Sequence, residues 1–326
     1  MTQGRMVEIA EQGGPEVMRV KSNIFPDPSK GEVLIHQTAL GMNFLDVYHR
    51  SGTYPLPMPS GIGTEAAGIA AKVGAGVTEF KEGDRVAYGG GLPGGYADYR
   101  NMLADRVVHI PDNVTDEQAA TSLLKGMTVE YLLERVYRIQ SGQWVLFYAA
   151  AGGVGLIASQ WAGSVGAKMI GTVSSNAKAE LAKKNGCAFT INYKNENVVE
   201  KVNEITSGKG VAVVYDGVGK DTFNTSLECL DFRGLFVSFG QSSGMVPNVD
   251  LHKTFNPKSL YYTRPTLMHY TSTRKELEES SNLLFTKIQN KEIKEHIFQT
   301  FNLKDAAKAH ALLQSRQSTG SIILKP

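Results

Sequence analysis

The spacing of apolar and polar residues divides the chain into regions of different texture. From Glu32 to about Ile110, short runs rich in β-branched and apolar residues are separated by Gly and Pro. We predict one short helix at Asn43–Arg50 and strands at Glu32–Ala39, Glu65–Val73, Asp84–Tyr88 and Ala97–Ile110. Short strands with frequent turns are typical of a compact, partly open barrel or sandwich.

A regular alternation of strand and helix follows between Trp144 and Gly240. It is preceded by Thr115-Asp116-Glu117-Gln118, which has the spacing of a capping box and predicts a helical stretch running, with breaks, to Arg138. Strands are predicted at Trp144–Ala149, Lys168–Val173, Phe189–Tyr193, Val211–Tyr215 and Gly234–Phe239, and helices at Val154–Val165, Ala177–Lys184, Val198–Thr206 and Thr222–Cys229. Apolar strands that alternate with helices indicate a doubly wound parallel sheet covered on both faces.

Beyond Tyr262 the pattern changes once more. Helices at Ser272–Gln289 and Lys304–Ser315 alternate with strand-like Ile297–Asn302 and Ser321–Leu324, and we expect this segment to return to the first region. The predicted fold class is therefore α/β. Residues 1–124 and 263–326 form a β-rich domain, and residues 125–262 form a doubly wound domain.

Composition narrows the range of partners. The 326 residues are 42% hydrophobic and 20% charged, with a net charge of +2, so charge gives no support for binding nucleic acid or a membrane surface. The two cysteines, Cys187 and Cys229, are too few for a disulfide framework, and the sequence has no apolar run typical of a signal peptide or a spanning helix. We expect a cytoplasmic protein that acts on a small molecule.

The strongest chemical signal is a glycine-rich turn after the strand Trp144–Ala149. It reads Ala150-Ala151-Gly152-Gly153-Val154-Gly155 and leads directly into a helix. In a dinucleotide fingerprint, the first small residue makes the turn, the second lets the backbone approach the pyrophosphate and the third lets helix pack on strand; Ala150, Gly152 and Gly155 occupy these places. The pyrophosphate would lie on amides at the helix N-terminus.

The end of the second strand indicates which dinucleotide is bound. An acidic residue there would hydrogen-bond the ribose hydroxyls of NAD, but the sequence reads Gly171-Thr172-Val173-Ser174-Ser175-Asn176-Ala177-Lys178. Ser174 and Lys178 instead offer a hydroxyl and an ammonium group to a 2′-phosphate, which favours NADPH. The alternative for Lys178 is a solvated helix residue.

Several longer motifs carry a resemblance to a known family. They are Gly13-Gly14-Pro15-Glu16-Val17, Asn43-Phe44-Leu45-Asp46-Val47-Tyr48, Arg50-Ser51-Gly52-Thr53-Tyr54-Pro55, Gly61-Ile62-Gly63-Thr64-Glu65-Ala66-Ala67-Gly68, Leu124-Lys125-Gly126-Met127-Thr128, Val213-Val214-Tyr215-Asp216 and Thr263-Arg264-Pro265. With them, the chain resembles the medium-chain dehydrogenases/reductases, and more closely the zinc-independent NADPH:quinone oxidoreductases related to zeta-crystallin. The resemblance implies a GroES-like catalytic domain, a Rossmann domain, a cleft between them and a homodimer joined through the Rossmann domains.

Zinc alcohol dehydrogenases of that superfamily carry a Cys near the present Asn43 and a His at the present Thr64. Amide and hydroxyl groups are poor zinc ligands, and the second zinc's cysteine cluster is also missing, so we expect a metal-free enzyme. The seven histidines have no ligand-like spacing.

The resemblance also suggests individual site residues. It places Asn43 and Tyr48 beside the nicotinamide as candidate catalytic residues, although a helix cap and a packed aromatic are the alternatives. Asn43 is also a candidate cofactor contact, and the other candidate cofactor contacts are Thr128, Tyr131, Ala151, Gly152, Gly153, Val154, Ser174, Lys178, Tyr193, Gly217, Phe239, Ser242, Arg264 and Arg316. Helix packing is the alternative for Thr128 and Tyr131, and a surface position for Arg316. Relatives often carry Ser at the position of Gly217.

The absence of zinc ligands bears on the substrate. Reversible oxidation of an ordinary alcohol needs a Lewis acid or a positioned acid or base, whereas hydride transfer to a quinone gives a delocalised hydroquinone anion. We therefore predict NADPH-dependent reduction of quinones. Conjugated enones or enals satisfy the same argument, and a crystallin-like protein that binds NADPH with little turnover is a third possibility.

Overall fold

The computed structural model describes residues 1–246 and 248–326. These residues fall into two units, one formed by Met1–Met127 with Thr271–Pro326 and the other by Thr128–Tyr270. The domain limits expected from the sequence, after residues 124 and 262, stay predictions. Across the described ranges, no helix is both long and apolar enough to cross a lipid bilayer.

The described residues form 16 strands and ten α-helices. The strands are β1 Thr2–Ile9, β2 Met18–Phe25, β3 Glu32–Gly41, β4 Ser60–Gly61, β5 Glu65–Val73, β6 Arg85–Gly89, β7 Tyr99–Leu103, β8 Val108–His109, β9 Trp144–Phe147, β10 Lys168–Val173, β11 Phe189–Asn192, β12 Val211–Asp216, β13 Leu230–Ser238, β14 Tyr261–Thr263, β15 Ile297–Asn302 and β16 Ser321–Lys325. The α-helices are α1 Phe44–Ser51, α2 Asp116–Glu130, α3 Gly153–Val165, α4 Asn176–Lys184, α5 Val198–Thr206, α6 Phe223–Cys229, α7 Leu251–Phe255, α8 Leu267–Tyr270, α9 Arg274–Gln289 and α10 Ala306–Gln314.

The first unit is built on two sheets. A seven-stranded sheet has the order β15-β16-β3-β5-β6-β8, with β7 pairing to β3, and a three-stranded sheet has the order β2-β1-β4. The C-terminal strand β16 pairs antiparallel with β3 through Ile323 and Leu324. Buried side chains from both ends of the sequence, including Val7, Ile35 and Leu324, form one core. The C-terminal segment is therefore an integral part of this unit.

The second unit is built on a six-stranded sheet with the order β11-β10-β9-β12-β13-β14. Every strand pair in it is parallel. Val145, Leu146 and Phe147 of the central strand β9 are at most 1% exposed, as expected for a strand covered on both faces. The order reverses between β9 and β12, which is where this architecture binds its ligand. The predicted α/β fold class, with a β-rich domain and a doubly wound parallel-sheet domain, is confirmed.

Several details differ from the sequence-based expectation, including one strand and one hairpin. The predicted strand Ala97–Ile110 is wrong as one element, because a 3-10 turn at Ala104–Arg106 separates β7 from β8. The helical stretch predicted to run with breaks to Arg138 is α2 followed by a π-helical turn at Tyr131–Val136, in agreement with the prediction. The N-terminal hairpin of β1 and β2 was not expected.

Candidate functional site

The glycine-rich turn connects β9 to α3. The amide of Gly152 donates to the carbonyl oxygen of Ala149 at 2.9 Å, and Ala149 itself has a left-handed backbone with φ of 55°. Gly152 caps α3 with an extended backbone, and no described side chain caps that helix. The first-turn amides of a helix have no partners within the helix, so those of Gly153 and Val154 suit an anionic ligand.

The glycines of this turn have different roles. A Cβ atom at Gly155 would collide with the carbonyl oxygen of Ala149 and would lie 2.7 Å from the Ala150 Cα, so Gly155 lets α3 pack on the turn. Among the described residues, the single neighbour within 4 Å of a Cβ at Gly152 would be the Ala149 oxygen, in a tight contact at 3.2 Å. Beyond that contact, a side chain there would fill the cradle that the backbone forms. Ala151 beside it is 3% exposed.

A basic patch lies where β10 and β11 end. Ser174 follows β10, and the amide of Lys178, in the first turn of α4, donates to the side chain of Ser175. Burial lowers the pKa of the Lys178 ammonium, and the nearby ammonium of Lys194 lowers it further. Two cations with a neighbouring hydroxyl suit a phosphate group.

Tyr193 and Lys194 extend this patch. The amide of Tyr193 donates to the carbonyl oxygen of Val173, which brings the ends of β11 and β10 together, and the Tyr193 ring is 45% exposed. Sequence reasoning missed Lys194. Lys194 could have been found from its position directly after Tyr193, because β11 ends there beside the end of β10.

Gly217, Phe239 and Ser242 form a cluster at the ends of β12 and β13. The amide of Ser242 donates to the carbonyl oxygen of Gly217 at 3.2 Å. A Cβ atom at Gly217 would lie 3.0 Å from the Phe239 ring, so the ring occupies the space that a serine side chain would need. Arg264 joins this cluster because its guanidinium donates to the carbonyl oxygen of Ser238 at 3.0 Å.

Thr128 and Tyr131 are buried, with exposures of 8% and 2%. The ring of Tyr131 stacks on that of Tyr270 with centroids 4.6 Å apart, and burial raises the pKa of its hydroxyl. These contacts fit the packing interpretation of Tyr131. Arg316 lies in the first unit, exposed just after α10, with a left-handed φ of 59°.

In the first unit, Asn43 precedes α1 and caps it. Its backbone amide donates to the Asp46 carboxylate at 2.8 Å, and its side-chain amide donates to the Glu65 carboxylate at 2.8 Å. Tyr48, on α1, is half-buried and packs edge-on against Phe44 and Tyr54. Both alternatives considered for these residues, a cap and a packed aromatic, are thus features of the structure.

Asp46 is the centre of a buried hydrogen-bonded network. Its carboxylate accepts from the hydroxyls of Thr64 and Tyr96, each at 2.9 Å, as well as from the Asn43 amide. Burial raises the pKa of Asp46 to about 6, although these hydrogen bonds act in the opposite direction. Tyr96 lies next to His310, which contacts Arg50.

These contacts bear on zinc. Asn43 and Thr64 occupy the positions compared above with the zinc ligands of alcohol dehydrogenases. Asn43 donates a hydrogen bond to the buried Glu65, and Thr64 donates one to the buried Asp46. An amide and a hydroxyl engaged in this way do not suit zinc. Within residues 1–246 and 248–326, no group of three or more His, Cys, Asp or Glu side chains could hold a metal ion. Metal independence stays a prediction.

The family model of the alcohol dehydrogenase GroES-like domain matches residues 29–112, and that of the zinc-binding dehydrogenase matches residues 153–286. Quinone oxidoreductase 1 of Escherichia coli is 50% identical over 323 residues, 98% of this chain and 99% of that protein. A crystal structure of E. coli quinone oxidoreductase complexed with NADPH aligns with a TM-score of 0.97, covering 99% of this chain and 100% of the other at 50% identity. A 2-haloacrylate reductase of Burkholderia is 41% identical over 325 residues, 98% of each chain.

The two matched domains, the parallel sheet and its glycine turn define a medium-chain dehydrogenase/reductase. Within that superfamily, the chain is 47–50% identical over 323 residues to three quinone oxidoreductases, which identifies the family. The chain belongs to the quinone oxidoreductase family, as its motifs suggested.

Proposed function

We propose that this protein reduces quinones by hydride transfer from NADPH. The observation that carries the proposal is the 50% identity, over 98% of the chain, to a quinone oxidoreductase, together with the TM-score of 0.97 to a quinone oxidoreductase complexed with NADPH. The local geometry supports it independently, because the second unit combines an open glycine turn with a basic patch.

Three groups of residues are proposed to hold the cofactor. The amides of Gly152, Gly153 and Val154 bind the pyrophosphate, since α3 presents them without a side-chain cap. Ser174, Lys178 and the newly recognised Lys194 hold the 2′-phosphate. The cluster at the strand ends, Gly217, Phe239, Ser242 and Arg264, orients the nicotinamide part. When bound, the reduced nicotinamide supplies the hydride.

Asn43 and Tyr48 are proposed to contact the acceptor or the nicotinamide carboxamide. Their side chains are an amide and a phenol, which hydrogen-bond an oxygen without supplying a strong acid or base. A quinone requires no more, because its reduced form spreads the negative charge over an aromatic ring. Orientation of the acceptor is then the main task of the protein.

The proposal is tested by a steady-state screen. NADPH and NADH are each offered with simple benzoquinones, naphthoquinones, enones and enals, and oxidation is followed at the nicotinamide absorbance. The expected result is rapid NADPH oxidation with quinones and weak rates with NADH. Tight NADPH binding with negligible turnover of every acceptor would instead favour the low-turnover binding protein.

A second candidate is reduction of a conjugated acid or carbonyl compound. It is favoured by the 41% identity to a 2-haloacrylate reductase, whose name implies an electron-poor double bond as the acceptor. The same screen separates the two, because this candidate predicts higher kcat/KM for the conjugated double bond than for any quinone.

We also propose a cytoplasmic homodimer. Both cysteines are free and buried, as expected in a reducing compartment. The edge strand β14 supports the dimer, because Tyr261 and Tyr262 are 62% and 45% exposed there. An exposed edge with aromatic side chains is a pairing surface for a second copy.

A further inference from the structure

Glu65 forms a buried hydrogen-bonded centre at the start of β5. Its side chain is 0% exposed, yet three donors converge on it. The backbone amide of Leu124 donates to Oε1 at 2.7 Å, and both the Asn43 side-chain amide, at 2.8 Å, and the Lys125 ammonium, at 3.1 Å, donate to Oε2. The Lys125 side chain is itself only 6% exposed.

The strands around Glu65 leave room for this centre. A Cβ atom at Gly41 of β3 would collide with the carbonyl oxygen of Ala120 and would lie 2.9 Å from the carboxyl carbon of Glu65, and one at Gly89 of β6 would lie 2.9 Å from the Leu124 amide nitrogen. The backbone of α2 and the Glu65 carboxylate therefore fill space that two glycines provide. Rotation of the carboxylate would break contacts on both of its oxygens.

This arrangement fixes the orientation of the Asn43 side chain. A carboxylate only accepts hydrogen bonds, so the NH2 end of the Asn43 amide must face Glu65 and its carbonyl oxygen must face away. The Asn43 side chain shares Oε2 with the Lys125 ammonium, whose positive charge compensates the buried carboxylate.

Stability alone is a poor explanation for the pair. Buried ion pairs are often neutral or unfavourable relative to apolar side chains of the same volume, because both charges lose their hydration. What the pair does supply is a fixed direction, because it holds the side-chain amide of Asn43 in one of its two possible orientations. The pair is thus better explained by its effect on Asn43.

We propose that Glu65, with Lys125 as its counter-ion, is a positioning residue that presents the Asn43 carbonyl oxygen to the NH2 group of the nicotinamide carboxamide of the bound cofactor. The inference rests on the proposed function, in which Asn43 contacts the nicotinamide carboxamide or the acceptor. Glu65 and Lys125 act through Asn43 and take no part in the hydride transfer itself.

The test is a double-mutant cycle on the full-length protein, using Glu65→Gln, Asn43→Ala and the combined variant. Glutamine keeps the shape of Glu65, but its NH2 group meets a donor at either end: Leu124 on one side, Asn43 and Lys125 on the other. Either orientation of the glutamine leaves one buried donor facing another, so the side chain at position 65 no longer holds the Asn43 amide in a single orientation. We expect kcat with a quinone to fall about 10-fold or more, while the NADPH dissociation constant changes less than about twofold.

The combined variant identifies the route of the effect. If Glu65 acts through Asn43, adding Glu65→Gln to Asn43→Ala leaves kcat within about twofold of Asn43→Ala alone. Asp116→Asn is the matched control, because Asp116 on α2 is also a partly buried acid with several donors, Thr38 and Arg85, in the same unit. It is expected to change thermal stability without changing kcat.

Lys125→Met provides a second route if Glu65→Gln does not fold. It keeps side-chain length and removes the counter-ion, and we expect a smaller loss of kcat that also disappears in the Asn43→Ala background. Wild-type kcat in Glu65→Gln, or an equal loss with and without Asn43, overturns the inference. An unchanged kcat in Asn43→Ala also overturns the inference, but it leaves the proposed quinone reduction intact. A wild type that reduces no quinone overturns both the inference and the proposed function.

Discussion

Lys178 and Lys194 show at the scale of single residues how the cofactor would be selected. Burial lowers the pKa of the Lys178 ammonium and the nearby ammonium of Lys194 lowers it further, so an anion beside the two groups would stabilise their charges. A 2′-phosphate supplies that anion, and the 2′-hydroxyl of NADH does not. The pair therefore predicts a preference for NADPH.

Lys178→Ala is expected to weaken NADPH binding by about 10- to 150-fold, the effect of losing a charged hydrogen bond worth about 1.5–3 kcal/mol. NADH binding should barely change, and the NADPH effect should shrink at high salt because the site is partly exposed. Fluorescence titration of both cofactors at two ionic strengths measures this.

Lys201→Ala is the control for Lys178→Ala, since Lys201 is an exposed lysine of the same unit paired with Glu204. Equal losses for NADPH and NADH in Lys178→Ala would show that Lys178 supports the fold or the shared pyrophosphate. A wild type that prefers NADH would contradict the cofactor assignment altogether.

Asp46 predicts a measurable pH dependence of stability. Burial raises its pKa from 3.8 to about 6, so between these values the folded protein holds a proton that the unfolded chain has released. The free energy of unfolding therefore falls as the pH rises through this window, and the contribution is fully present below about pH 4. Its size is about 3 kcal/mol.

Urea unfolding of wild type and Asp46→Asn at several pH values tests this. Relative to the variant, the wild type should gain stability as the pH is lowered from 7.5 to 4.5. His310 contributes in the opposite direction, because burial and the Arg50 charge lower its pKa to about 3, but both proteins contain it and the comparison cancels it. Parallel stability curves for the two proteins would contradict the assignment to Asp46.

At the scale of elements, the unit that matters most is β9, its turn and α3. Gly152 has φ of −81° and ψ of 173°, which any residue adopts, and within the described residues a Cβ there would contact the Ala149 oxygen alone, at 3.2 Å, so that a shift of a few tenths of an ångström accommodates it. Gly152→Val should therefore fold with a melting temperature within a few degrees of wild type. NADPH binding should be abolished, because the branched side chain fills the space that the pyrophosphate needs.

Gly155→Val is the informative comparison, since a Cβ at Gly155 would collide with the turn itself. It should lose stability as well as binding, as circular dichroism melts would show. Unchanged NADPH affinity in a folded Gly152→Val protein would remove the turn from the site.

The sequence predicted the elements of the second unit well, because buried parallel strands and amphipathic helices leave strong periodic signals. Lys168–Val173 and Val198–Thr206 coincide with β10 and α5. The hairpin of β1 and β2 escaped prediction, because most of β2 is exposed and its polar residues give little alternation. The π-helical turn at Tyr131–Val136 has no periodic signature that separates it from an α-helix.

The same contrast applies to the candidate site. The glycine turn was visible because its chemistry lies within six consecutive residues. The contacts of Glu65 with Asn43 and Lys125 join residues 22 and 60 positions away along the chain, so only the folded sheet brings them together. The roles of the predicted site residues stay predictions until binding and activity are measured.

At the scale of the whole molecule, we expect activity without a metal ion. The side chains of Asn43 and Thr64 donate to buried acids and do not suit zinc. Elemental analysis of the purified protein should find no stoichiometric zinc, and quinone reduction should survive chelation, while a zinc-dependent alcohol dehydrogenase treated alongside loses activity. Activity that chelation abolishes and zinc restores would show the argument from ligands to be wrong.

The assembly proposed above depends on the edge of the six-stranded sheet. β14 pairs with β13 on one side, and two copies related by a two-fold axis would pair β14 with β14 on the other, extending the sheet across both. Tyr261 is 62% exposed on that strand and would lie near the axis. Tyr261→Lys brings two like charges together there and should shift the protein from dimer to monomer at micromolar concentration in sedimentation velocity.

Ile24→Lys is the matched control, because Ile24 is 65% exposed on β2, an edge strand of the first unit. It places the same charge on a different edge and should leave the dimer intact. If Ile24→Lys dissociates the dimer and Tyr261→Lys does not, the interface lies on the first unit. A monomeric wild type at all concentrations would contradict the homodimer itself.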